Sequence, residues 1–166
     1  MQKKISDSIY LLVTELIYFG HKELIALADE MLSKKGFGRA HYRVLHVIKN
    51  KPGITTKGVL QHLKITAASL NRTMNKLIDS KYIVQKNDRN DRRQRHHFLT
   101  KNGNSFQEEI YSLQKKILEK AFDNLEDEAV NHFIKVLSQM ISQEDHSLLS
   151  TPIPFCFLQP KNDPLL

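Results

Sequence analysis

Residues 55–78 have the sequence TTKGVLQHLKITAASLNRTMNKLI, which contains two short helical patterns joined by a turn. Thr55 or Thr56 can cap a first helix that reaches Leu63, because a threonine hydroxyl accepts a hydrogen bond from an early backbone N–H of a helix. Thr66 can cap a second helix in the same way. The apolar residues of the second helix lie along one face: Leu70, Met74, Leu77 and Ile78. With a turn at Lys64-Ile65, the pattern predicts a helix-turn-helix.

Two short β-prone runs, residues 82–84 and 97–99, follow this motif and bracket a polar stretch. They predict two strands joined by a long charged hairpin, the wing of a winged helix. Four arginines lie in this hairpin: Arg89, Arg92, Arg93 and Arg95. An extended arm with arginines fits the narrow minor groove of DNA, where the negative potential is strongest. Asp91 can pair with Arg93 and direct its guanidinium. The alternative interpretation is a solvated turn.

The second helix of a helix-turn-helix places its N-terminal residues against base edges in the major groove. Asparagine can bind adenine and arginine can bind guanine through two hydrogen bonds each, and alanine can contact a thymine methyl. Serine and lysine more naturally hold phosphates. The candidate contacts on this helix are Thr66, Ala67, Ala68, Ser69, Asn71, Arg72, Asn75 and Lys76. An ordinary solvated helix face is the alternative.

Positive charge is concentrated in the middle of the 166-residue chain, whose formal net charge is +7. Residues 36–100 carry 14 lysines and arginines against three aspartates, whereas residues 1–35 are balanced and residues 101–166 are acidic. A localised basic region is the electrostatic footprint that a polyanion such as double-stranded DNA recognises. A basic surface that only keeps the chain dissolved would give the same count.

Amphipathic helices are predicted on both sides of the basic region, over residues 5–31 and 101–142. Their apolar faces are larger than a small DNA-binding lobe can cover, which predicts a homodimer. The expected organisation is an N-terminal dimerisation helix (1–35), a winged helix-turn-helix lobe (36–100), C-terminal dimerisation helices (101–143) and a Pro-rich apolar tail (144–166). The expected fold class is mainly α with a small β-hairpin wing.

Other classes of function find little support in the sequence. There is no Gly-x-Ser-x-Gly, His-Glu-x-x-His or phosphate-cradling glycine loop, so an enzyme is not expected. The one cysteine, Cys156, allows neither a disulfide framework nor a zinc finger, and His96 and His97 should point to opposite faces of a strand. No cofactor, metal or membrane segment is expected, and the predicted location is the cytoplasm.

The segment DRR at 91–93, followed by FLTKNG at 98–103, resembles the wing signature of the MarR family of bacterial regulators. In that signature Asp-x-Arg leads into a hydrophobic residue, Leu-Thr, two polar residues and Gly. The resemblance runs through residues 38–103 and, more loosely, over the whole six-helix layout. Further matching residues are Pro52-Gly53-Ile54-Thr55, Leu63, Ile65-Thr66, Ser69-Leu70, Arg72, Leu77 and Ile83.

The resemblance implies dimerisation through the first and last helices, a roughly palindromic operator, and repression relieved by a small-molecule effector. It also implies that Arg93 enters the minor groove with Asp91 as its orienting partner. Tyr18, His41 and Tyr42 are the candidate residues of an effector pocket, although they could equally be core or groove residues, and residues 41–43 could instead touch phosphates. Lys64 and Lys81 depart from the family pattern, which usually has glycine at both turns, so we expect strained or altered turns there.

One alternative from another class remains open. A winged-helix module could dock an acidic protein partner through its basic face and never bind DNA. The arginine-bearing hairpin and the Asn/Arg-bearing helix favour the DNA-binding regulator over this protein-interaction module.

Overall fold

The computed structural model describes residues 5–88, 91, 94–149, 151 and 153. It confirms a mainly α chain with one small sheet. The predicted residues Arg89, Arg92, Arg93 and Cys156 lie outside the described residues. The described elements, in chain order, are α1 (Asp7–Lys34), α2 (Arg39–Asn50), β1 (Ile54–Thr55), α3 (Thr56–Leu63), α4 (Ala67–Asp79), β2 (Ile83–Asn87), β3 (Arg95–Leu99), α5 (Lys101–Phe122), α6 (Asp127–Met140) and α7 (Gln143–His146).

Threonine hydroxyls cap the two helices of the helix-turn-helix. Thr55 Oγ1 accepts from Gly58 N at 3.2 Å at the start of α3, so Thr55 and not Thr56 is the cap. Thr66 Oγ1 accepts from Ser69 N at 3.2 Å and caps α4, as predicted. Each cap satisfies a backbone donor that the helix itself leaves unpaired, and so determines where the helix starts.

The sheet has three antiparallel strands in the order β1-β3-β2. The two strands of the hairpin pair with Val84 opposite Phe98 and Lys86 opposite His96. Both are longer than the sequence pattern predicted. The third strand, β1, was not predicted, because its two residues show no periodicity and become a strand only through pairing with β3.

The turns before α4 and before β2 have left-handed backbones at lysine. Lys64 has φ 51° and Lys81 has φ 62°. A left-handed conformation crowds Cβ against the neighbouring carbonyl and costs about 1–2 kcal/mol for a residue other than glycine. The strained turns expected at these two positions are therefore confirmed.

The core of the winged-helix unit, which we define as residues 39–99, lies between α2, α3, α4 and the sheet. The buried face of α2 (Val44, Leu45, Val47 and Ile48) packs in one cluster with the buried residues of α4. Phe37 joins this cluster from the α1–α2 connection and makes edge-to-face contacts with Tyr82 and Phe106. The cluster thus connects the unit to α5 as well as to α1.

Gly103 allows the first turn of α5 to approach the chain before β2. A Cβ at this position would lie 2.2 Å from the carbonyl oxygen of Tyr82. The same carbonyl accepts from Thr100 N at 3.0 Å, and the Thr100 hydroxyl donates to Lys81 O at 2.6 Å. Only glycine fits where two backbones come this close, which explains the glycine that ends the FLTKNG segment.

The C-terminal part of the described chain folds back onto the end of α2. Asn50 Nδ2 donates to Leu148 O at 2.7 Å, and Lys51 Nζ donates to Ser147 Oγ at 3.1 Å. Leu148 packs against the core cluster. Where the sequence predicted a tail from residue 144, the structure has the end of the short helix α7 and the partly buried Leu148.

Candidate nucleic-acid interface

The first turn of α4 presents a polar surface to solvent. Thr66, Ala67, Ala68 and Ser69 are all exposed, as are Asn71, Arg72 and Asn75 further along the helix. The opposite face of α4 is buried through Leu70, Met74 and Leu77. Among the described residues, no hydrogen bond or ion pair engages the side chain of Arg72. The eight predicted residues, Lys76 included, therefore all lie on the exposed surface of α4 or at its N-cap.

Lys76, the eighth, is engaged within the chain. Its ammonium group donates a hydrogen bond to the carbonyl oxygen of Gly36 and lies 5.9 Å from the ring centroid of Phe37. These contacts join the recognition helix α4 to the connection between α1 and α2. The sequence pattern did not reveal this role, because Gly36 lies 40 residues away.

The base of the hairpin arm is organised by a small polar network. Asp88 N donates to Gln94 O at 3.0 Å, and Asp91 N donates to Asp88 Oδ1 at 3.0 Å. Gln94 Nε2 lies 3.4 Å from Asp91 Oδ2. Arg95 is exposed on β3, with Nη1 3.5 Å from Gln85 Oε1. Asp91 and Arg95 are the predicted arm residues that the structure describes. Both lie at the solvent-exposed base of the arm.

His96 lies where this arm meets the turn that precedes β1. Its Nδ1 is 2.7 Å from Gly53 O and its Nε2 is 3.0 Å from Asp88 Oδ2. The hydrogen bond with the Gly53 carbonyl, followed by that with Asp88, raises the pKa of His96 above its ordinary value. Sequence reasoning considered His96 only as a metal ligand and missed this contact. The strand register, which places His96 opposite Lys86 two residues before Asp88, could have indicated it.

His97 faces the other side of the sheet, as predicted for neighbouring residues of a strand. It is fully buried, its Nε2 lies 2.9 Å from Thr56 Oγ1, and its Nδ1 has no hydrogen-bond partner among the described residues. Burial lowers the pKa of His97 to about 4. His97 is therefore a neutral core residue near pH 7.

Arg43 was a candidate phosphate contact in the alternative interpretation of residues 41–43. Its Nη2 donates to Leu63 O at 3.1 Å. This bond satisfies a carbonyl at the C-terminal end of α3, next to the left-handed turn at Lys64. The side chain of Arg43 thereby supports the turn that leads into α4.

The α1–α2 connection carries two further polar contacts. Arg39 forms a two-pronged ion pair with Asp29, with its shortest distance 2.6 Å between Nη2 and Oδ2. These hydrogen bonds lower the pKa of Asp29. His41 stacks on Phe37 at 5.0 Å and accepts a hydrogen bond from Gly38 N at 3.0 Å. Burial, with the nearby charge of Lys76, lowers the pKa of His41.

The three predicted effector-pocket residues have different surroundings. His41 and Tyr42 are half-buried on α2, and Tyr18 is exposed on α1, where its ring packs edge-on against Phe19. An open groove of about 490 Å³ lies between α1 and α5. It is lined by other residues: Met31, Ser105, Glu108, Glu109, Ser112 and Leu113.

A helix-turn-helix followed by a paired hairpin, with an exposed polar recognition helix, defines the class of winged-helix DNA-binding proteins. The sequence model of the MarR family matches residues 35–94. The HTH-type transcriptional regulator PetP of Rhodobacter capsulatus is 32% identical over 127 residues, which cover 76% of this chain and 76% of that protein. The chain belongs to the MarR family and is a DNA-binding transcriptional regulator.

Solved structures share the fold. A MarR transcriptional regulator from Methanosarcina mazei Go1 has a TM-score of 0.63 at 21% identity, with 78% of this chain and 93% of that chain covered. Streptococcus pneumoniae FabT, solved in complex with DNA, has a TM-score of 0.66 at 21% identity, with 79% and 94% covered. Within the described residues, no helix is both long and apolar enough to cross a membrane.

Proposed function

We propose that this regulator is a homodimer that binds a roughly palindromic operator and represses transcription until a small molecule relieves it. Residues 36–100 form the DNA-binding lobe, and residues 1–35 and 101–143 supply the dimerisation helices. The observation that carries the DNA-binding part is the exposed polar face of α4, on which Arg72 has no hydrogen-bond or ion-pair partner among the described residues. The protein acts by binding, in the cytoplasm, without catalysis.

The exposed apolar side chains of α1 and α6 support the homodimer. On α1 they include Ile9, Leu12, Leu16 and Phe19, and on α6 they include Phe133, Val136, Leu137 and Met140. Monomeric proteins rarely expose contiguous apolar surface of this kind, whereas a second copy of the same two helices would cover it. A two-fold dimer would also set two copies of α4 at half-sites one helical turn apart.

We assign the recognition of bases to α4. Contact with phosphates or with the minor groove is assigned to the arm. Asn71, Arg72 and Asn75 contact base edges together with Thr66. Ala67 and Ala68 contact thymine methyl groups, and Ser69 holds a phosphate. Arg89, Arg92, Arg93 and Arg95 bind along the minor groove, with Asp91 as orienting partner. Lys76 holds a phosphate with the N–H donors that its hydrogen bond to Gly36 O leaves available.

Titration of operator-containing and unrelated DNA fragments at two salt concentrations tests this function. A regulator that contacts several phosphates loses affinity steeply as salt rises and still prefers one fragment. Arg72→Ala should reduce that preference by about 1–3 kcal/mol. Lys116→Ala removes one exposed charge from α5 and should leave the preference intact. Equal affinity for all fragments, or binding only to an acidic protein, would favour the protein-interaction module instead.

The effector site at Tyr18, His41 and Tyr42 stays a prediction. His41 contacts Phe37 and lies near Lys76, so a ligand bound against His41 would reach the helix that reads DNA. The test is a screen for small molecules that release the operator. Compounds that act on the wild type should lose their effect in His41→Ala if this site is correct.

A further inference from the structure

His96 has hydrogen-bond acceptors at both of its ring nitrogens. Nδ1 lies 2.7 Å from the carbonyl oxygen of Gly53, and Nε2 lies 3.0 Å from a carboxylate oxygen of Asp88. Gly53 belongs to the turn before β1, whereas Asp88 is the first residue after β2 and begins the arm. One side chain therefore connects the start of the arm to the opposite edge of the sheet.

The protonation state of the imidazole decides whether both contacts can exist. A neutral imidazole has one N–H donor and one lone pair, so one of the two oxygens would face a lone pair. The imidazolium has two donors and satisfies both oxygens at once. The pair of contacts seen here thus corresponds to protonated His96, and the bond to Asp88 is then charge-assisted.

Among the charged groups around His96, Asp88 at the start of the arm favours the imidazolium. Lys86 is paired with His96 on β2, and its ammonium group lies 5.1 Å from the ring centroid of Phe98. On β3, Arg95 precedes His96, and His97 is neutral because burial lowers its pKa to about 4. On β1, the residue paired with His96 is Thr55, which is uncharged.

We propose that His96 is a positioning residue for DNA binding: as an imidazolium it ties Asp88, the first residue after β2, to the Gly53 turn and so fixes the position at which the arm begins. Deprotonation breaks one of the two ties and lets Asp88 separate from the Gly53 turn. The raised pKa of His96 fixes the sign: the tie is complete below about pH 6.5 and is lost as pH rises through the raised pKa. The inference rests on the proposed contact between arm and DNA.

The first test needs no DNA. Titration of the His96 ring resonances by NMR in the free dimeric protein should give a pKa above the ordinary value for histidine. Asp88→Asn, which keeps the shape of the side chain but removes its charge, should lower this pKa. A His96 pKa at or below the ordinary value, or one that Asp88→Asn leaves unchanged, overturns the proposal whatever the protein binds.

The second test measures operator affinity between pH 6 and pH 9 at constant salt. The dissociation constant of the wild type should rise about tenfold over this range, which is the size expected for one hydrogen bond to a charged group. His96→Gln should show a flatter profile, and His21→Gln, a change on α1 outside the winged-helix unit, should follow the wild type. Equal profiles for His96→Gln and wild type overturn the proposal.

The two tests separate this inference from the proposed function. If no fragment is preferred at any pH, the proposed function fails. The NMR titration still tests the His96 contacts, because it measures the His96 pKa without DNA. If the operator is bound specifically but without a His96-dependent change with pH, the proposed function holds and the role of His96 is wrong.

Discussion

His96 and His97 are consecutive residues of β3, and their pKa values are displaced in opposite directions. His96 is held between Gly53 O and Asp88 on the outer side of the sheet, which raises its pKa. His97 is buried beneath the sheet against Thr56, and burial lowers its pKa to about 4. The alternation of a β-strand is sufficient to separate the two environments by one residue.

The buried position of His97 predicts a loss of stability in acid. Because the folded-state pKa is lower than that of an unfolded histidine, the unfolded chain binds the proton more strongly. The free energy of unfolding should therefore fall as pH decreases from about 6.5 towards 4. His97→Val should show a smaller fall, measured by denaturant titration at several pH values. In His96→Gln the free energy of unfolding should fall in acid as much as in the wild type. An equal fall in His97→Val and wild type would contradict the assignment of the acid effect to His97.

Gly103→Ala should destabilise the fold. The added methyl group would lie 2.2 Å from Tyr82 O, so the start of α5 or the turn before β2 must move. Strain of this kind costs about 1–3 kcal/mol of the free energy of unfolding. Gly20→Ala is the control, because nothing lies within 4 Å of a Cβ there and alanine favours a helix. Thermal or denaturant unfolding of both variants should show a loss only for Gly103→Ala.

Lys81→Gly should stabilise the protein. Lys81 has φ 62°, a conformation that glycine adopts without a Cβ clash. The expected gain is up to about 1 kcal/mol, since the greater flexibility of glycine in the unfolded chain offsets part of the relief. Lys81→Ala removes the same charge and keeps the strained backbone, so it should not stabilise. A gain of equal size in both variants would show that charge, and not backbone strain, is responsible.

Leu16→Asn should weaken the homodimer. Leu16 lies on α1 with 60% of its side chain exposed in the single chain, among other apolar residues of the same helix. If a second chain covers this face, a polar amide there loses apolar burial and shifts the monomer–dimer equilibrium towards monomer. Light scattering over a dilution series measures this, with Lys22→Asn on the same helix as control. A monomeric wild type at micromolar concentration would refute the dimer.

Local patterns predicted much of the fold. The threonine cap before α4 and the apolar spacing of that helix are short-range signals, and the structure agrees with them. The left-handed turns at Lys64 and Lys81 were expected where a family glycine is replaced. Each of these features depends on residues within a few positions of one another.

Features that depend on distant residues were not predicted. β1 exists only because it pairs with β3, and the packing of Leu148 depends on a hydrogen bond from Asn50, 98 residues earlier. The phosphate contact of Lys76 stays a prediction, but the hydrogen bond of its ammonium group to Gly36 O was not predicted. No spacing rule in a single sequence relates such pairs, since tertiary packing brings them together.

The ring of Phe37 is shared by several elements. It stacks on His41 of α2, meets Tyr82 before β2 and Phe106 of α5 edge-on, and lies under the ammonium group of Lys76 from α4. The junction between α1 and the winged-helix unit is thus filled by packed aromatic rings. Rotation of the winged-helix unit about this junction would disrupt these contacts together, so the ring of Phe37 couples the orientation of α4 to that of α5.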